Sequence, residues 1–103
     1  MFPNNGVAPA TQNKHVQRFR NKVTRLKNLL AELGKTIDDK DAKHLLLDTA
    51  EHSLGIVERC LLPHALKATN DNTELWFRLI EFHLEVAEVE LTYAEGAVAS
   101  VEA

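Results

Sequence analysis

The sequence predicts an all-α chain: an up-down-up helical bundle of three long helices, with a short extra helical segment after Pro63, completed by dimerisation. Three observations lead there. Apolar residues recur at steps of three and four and do not alternate with polar ones, and hairpin dipeptides are absent. Glycine and proline are scarce, four and three in 103 residues, and Pro3, Gly6 and Pro9 fall in the first ten, so long uninterrupted segments remain. The length and an apolar content of 45% suit one small domain, whose modest core would gain from a partner.

Residues 1–10, rich in Pro, Asn and Gly, read as a flexible N-terminal arm, and residues 11–103 as a single helical-bundle domain. The first helix is predicted to begin at Thr11, a capping residue, and to end near Leu33. Val16, Phe19, Val23, Leu26, Leu30 and Leu33 alternate steps of three and four, the spacing of a coiled-coil seam. Gly34 then offers the left-handed conformation that ends helices. The second helix is predicted to start between Thr36 and Asp39, where acids suit a helix N-terminus. Its apolar face holds Leu45, Leu46, Ala50, Leu54, Ile56, Val57, Cys60 and Leu61. Pro63 lacks an N–H, and its ring collides with the carbonyl four residues back, so a kink or restart is expected there, followed by a short piece to Thr69. Asn70-Asp71-Asn72 reads as a turn, with Asp71 and Glu74 as a capping pair for a last helix running from Asn72 to Val98 or beyond.

That last helix carries the most unusual pattern. Glu74, Glu81, Glu88, Glu95 and Glu102 stand seven residues apart and form one narrow acidic stripe. Most of the remaining circumference is apolar. Leu75, Leu79, Phe82, Val86 and Tyr93 make one face, and Phe77, Leu84, Leu91 and Val98 a second seam, with Trp76 and Ile80 between them. A helix in a closed three-helix bundle needs one apolar face only. The excess predicts contact outside the chain, with Trp76, Phe77, Ile80, Leu84, Leu91 and Val98 at the interface of a homodimer. A foreign protein partner is the alternative. His83 and Glu90 lie opposite the acidic stripe, so both are expected to be hydrogen-bonded across helices.

Charge is unevenly distributed. Six cations and no acid lie between Lys14 and Lys27, while seven glutamates face one arginine from Asn72 onward. The first and last helices can therefore complement one another. Arg18, Lys22 and Arg25 share one side of the first helix and are read as a charged docking surface. A dedicated nucleic-acid role is not expected, because the formal net charge is -3 and Phe19 alone among Phe, Tyr and Trp stands among the cations.

The single cysteine, Cys60, is expected to be a buried free thiol. The N-terminus lacks a basic and then apolar leader, so no secretory signal is expected and a cytoplasmic location is inferred. No stretch has the apolar length of a membrane span. His44, Asp48 and His52 stand at four-residue steps, a spacing compatible with zinc, but no Cys or second His pair supports them. No metal, cofactor or catalytic residue is therefore assigned.

Two short resemblances bear on His64. The run His64-Ala65-Leu66-Lys67-Ala68-Thr69 resembles the His-x-Leu-Lys-Gly core of histidine phosphotransfer domains, with Ala68 in place of the glycine. That resemblance implies a phosphoryl-accepting His64 assisted by Lys67. Arg59 and His64 are also spaced like the Arg-x4-His motif of HEPN-type ribonucleases, which implies action of both on an RNA backbone. Against these stands the wider pattern of the last helix, which predicts a non-enzymatic protein–protein interaction module: an adaptor, assembly chaperone or small regulator.

Overall fold

A computed structural model describes residues 9–68 and 71–102; the side chains of residues 9–12 and of Asp71 are not described. The described residues are almost wholly helical, with no strand. They form α1 (Pro9–Thr36), α2 (Lys40–Ile56), a π-helical turn (Val57–Leu61), α3 (Leu62–Lys67) and α4 (Asp71–Glu102). The molecule measures 59 × 19 × 15 Å. Because α2, the π turn and α3 follow one another without a break, the chain forms three rods, each in contact with the other two.

α1 outruns its predicted limits at both ends. Pro9 and Ala10 already belong to it, and the rest of the expected arm, like the Thr11 side chain, lies outside the described residues. Gly34 does not end α1. It sits inside the helix, which runs on to Thr36, and Ile37 N–H then donates to Leu33 O at 3.0 Å to close the last turn. The reason is tertiary: Leu33 and Ile37 are both buried, and only continued helical winding places both on the inner face. α2 begins where predicted. Asp39 is its N-cap, and its Oδ1 accepts from Ala42 N–H at 2.9 Å.

Pro63 acts as expected, through a specific device. The preceding turn widens into a π-helix, and Leu62 N–H donates to Val57 O, five residues back. An extra residue in that turn relieves the collision a proline ring causes with the carbonyl four residues before it. It also lets Leu61 and Leu62 both face inward, with Val57 and Ala65. The same widening corrects the expectation for Cys60, which is exposed, since its inward neighbours already fill the core. Thr69, the expected end of that short piece, and Asn70, the first residue of the expected turn, lie outside the described residues, and Asp71 already belongs to α4.

The core lies along the axis between the rods. α1 contributes Val16, Phe19, Val23, Leu26 and Leu33, the predicted seam with Leu30 only half-buried. α4 contributes Phe77, Ile80, Leu84, Ala87, Leu91 and Ala94, again at alternating steps of three and four. Phe19 meets Phe77 edge-on at 5.6 Å between ring centroids, and Arg25 meets Glu88 further along. Between the second rod and α4 the order reverses: Ala50 meets Glu90, and His64 meets Trp76. Lys27 meets Glu58 between α1 and the π turn.

Candidate functional site

α4 is 32 residues long and carries two apolar stripes on nearly opposite sides. The inner one holds the bundle together. The outer one, Leu75, Leu79, Phe82, Val86, Val89 and Tyr93, steps by four and three in turn, so it too has coiled-coil spacing. Leu75, Phe82, Val89 and Tyr93 are exposed, at 57%, 60%, 63% and 69%. Leu79 packs partly against the core, and Val86 is half-buried beside it.

This reverses the assignment of faces made from the sequence. Phe77, Ile80, Leu84 and Leu91, expected at an intermolecular interface, are enclosed by the chain's own rods. Trp76 and Val98 are half-buried against the same core. The physical reason is that α1 and α2 both approach α4 from the Phe77–Leu84–Leu91 side, where Ala87 and Ala94 allow close contact. The face expected to be covered at home is the one left open. Seven-residue spacing could not distinguish the two stripes, because both have it; the alanines at 87 and 94 were the available signal for the inner side.

α2 extends the open face. Thr49 lies beside Phe82, Val86, Val89 and Tyr93 along a groove of about 640 Å³ that Glu85 and Glu90 border, and Leu45 is exposed on the same helix. Glu90 is not adrift in this surface. One carboxylate oxygen accepts a short hydrogen bond from Ala50 N–H, which ties α4 to α2 across the helix contact. His83 is half-buried and stands edge-on to Phe82, with ring centroids 5.4 Å apart. It makes no pair with Glu90.

The opposite flank of α4 is electrostatic. Glu88, third in the acidic stripe, takes Lys22 Nζ at 3.1 Å and Arg25 Nη2 at 3.0 Å. The Arg25 hydrogen bond, then that of Lys22, hold its carboxyl below the ordinary value of 4.5. Two of the three residues expected as a charged docking surface are therefore engaged within the chain. The third, Arg18, lies over the Phe19 ring at 5.2 Å and meets His15 Nδ1 at 3.1 Å. Elsewhere in the stripe Glu74 pairs with Arg78 of its own helix at 3.4 Å.

The residues of the two enzyme-like resemblances have structural neighbours of their own. His64 Nδ1 lies 2.8 Å from Cys60 O, so this nitrogen carries the proton, and the ring lies tilted against Trp76 with centroids 4.9 Å apart. The Arg59 guanidinium folds back over Gly55, where an added Cβ would meet its Nη2 at 2.5 Å. His44 Nδ1 stands 3.8 Å from Asp48 Oδ1 on the exposed side of α2. No group of three potential metal ligands occurs among the described residues. No helix among them is long and apolar enough to cross a membrane. No family model matches the chain, and no curated protein or solved structure matches it either.

Proposed function

We propose that this chain is a non-enzymatic protein–protein interaction module, built as an up-down-up bundle, that self-associates through the open face of α4 and the adjoining edge of α2. One observation carries the reading: Leu75, Phe82, Val89 and Tyr93 lie in register along the outside of a single rigid helix. Scattered exposed apolar residues are ordinary, but a continuous stripe at coiled-coil spacing is a contact surface. From the exposures of these four side chains, about 500 Å² of apolar surface is open to solvent on each chain. Two chains sharing it would bury about 1,000 Å² before any α2 surface is added, which reaches the floor for a specific contact, in the range of weak ones. A homodimer also fits a domain of 103 residues, whose own core is small.

Roles of this kind, adaptor, assembly chaperone or small regulator, need only a rigid surface of defined chemistry. The test is sedimentation velocity across the micromolar range. A concentration-dependent shift from one chain to two is expected. A single monomeric species at 100 μM, on the order of the highest concentration at which a weak specific contact still registers, would overturn the reading.

A further inference from the structure

We propose that the second copy lies antiparallel to the first, its α4 crossing the open stripe about a two-fold axis beside Glu85. This rests on the self-association argued above and adds its geometry. The stripe itself sets the layers. With the axis there, Phe82 packs on Val86 of the second copy, Leu79 on its Val89, and Leu75 on its Tyr93, each layer occurring twice. All six outer residues are then covered, and Asn72 faces Gly96 of the second copy at each end.

Charge decides between the antiparallel and the parallel arrangement. In a parallel pair at the same spacing, Glu85 of each chain would stand beside Glu90 of the other, giving two like-charge contacts, and Arg78 would approach His83. In the antiparallel pair one carboxylate contact arises, Glu85 against its own copy on one side of the axis, while His83 meets its own copy on the other side, and the α4 dipoles oppose one another favourably. A third arrangement, antiparallel but shifted by seven residues, would set Arg78 against Glu85 twice. It would leave Val89 and Tyr93 without partners. Two exposed ion pairs weigh less than two large apolar side chains per copy, so burial fixes the register.

Gly96 makes the geometry testable, because a side chain added there meets nothing within 4 Å in its own chain. Asn72 is exposed as well. Asn72→Cys and Gly96→Cys would be made separately in a Cys60→Ser background, which removes the exposed native thiol. The two variants are mixed under mild oxidation, and the disulfides are mapped by mass spectrometry. Mixed 72–96 product should exceed either self-linked product by at least about tenfold, since only that pair shares a high effective concentration. A self-linked Asn72→Cys product would establish the parallel pair. A dimeric wild type with no preferred link at these positions would overturn the register. In both cases self-association would stand, whereas a monomeric wild type would remove the two proposals together.

Discussion

The contrast between Phe82 and Leu84 tests the division of α4 into two faces. The two residues are two positions apart on the helix, and Phe82 is 60% exposed while Leu84 is 1% exposed. A Phe side chain offers on the order of 200 Å², so about 120 Å² of Phe82 would leave water on pairing. At about 25 cal/mol per Å² that is about 3 kcal/mol for each copy, before any cost of placing a carboxylate there. Phe82→Asp should therefore weaken self-association by at least a hundredfold. It should leave the melting temperature of the isolated chain nearly unchanged, because the inner stripe is untouched. Leu84→Ala should do the reverse. Truncating a fully enclosed leucine costs about 2–5 kcal/mol through lost transfer energy and the cavity that remains. The assays are sedimentation velocity for association, and thermal and urea melts followed by circular dichroism at low protein concentration. Two results would refute the reasoning: a Phe82→Asp chain that still dimerises like the wild type, or a Leu84→Ala chain as stable as it.

Two further outcomes follow from other parts of the fold. The Glu88 carboxyl is held below its ordinary 4.5 in the folded chain, so its contribution is fully present above that pH and is lost as pH falls through the lower folded value. The site is partly open to solvent, so the effect is expected to be only a few tenths of a kcal/mol. Urea melts should show it as a small acid-limb loss of stability that Glu88→Gln abolishes; an unchanged acid limb in that variant would remove the assignment. Gly34 lies within α1 with open space around an added Cβ. Gly34→Ala should stabilise the chain by about 1 kcal/mol and raise the melting temperature by a few degrees, roughly 4–8 °C for a domain this small. A fall in melting temperature would show that Gly34 is needed as glycine.

Much of the helical layout was legible because it depends on local chemistry. The α1 seam, the start of α2 at Asp39 and the disturbance before Pro63 follow from side-chain period, capping and a missing N–H. What the sequence did not disclose required knowing which side other rods approach. Gly34 has the chemistry of a helix stop, but the pull of Leu33 and Ile37 into the core overrides it. Cys60 has the company of a core residue, yet the π turn inserts an extra residue and gives the inward places to Leu61 and Leu62. For α4 the ambiguity was complete in period and was resolved only by residue size. Large apolar residues occupy both stripes, and alanines occur in the inner one alone, where two rods must come close.

The acidic stripe acquires a meaning from this arrangement that its spacing alone did not convey. It runs along the α1 side of α4, where Glu88 engages Lys22 and Arg25. One edge of the open apolar face is therefore bounded by charge and the other by α2, which brings Thr49 to the groove. Two copies that met through their acidic edges would set glutamates against glutamates at every second turn, which costs free energy and holds no compensating burial. Two copies that met through the apolar stripe would leave those edges in water. If the chain self-associates as proposed, the stripe of glutamates would work by exclusion, steering an encounter between chains towards the one face where burial can outweigh the loss of freedom on association.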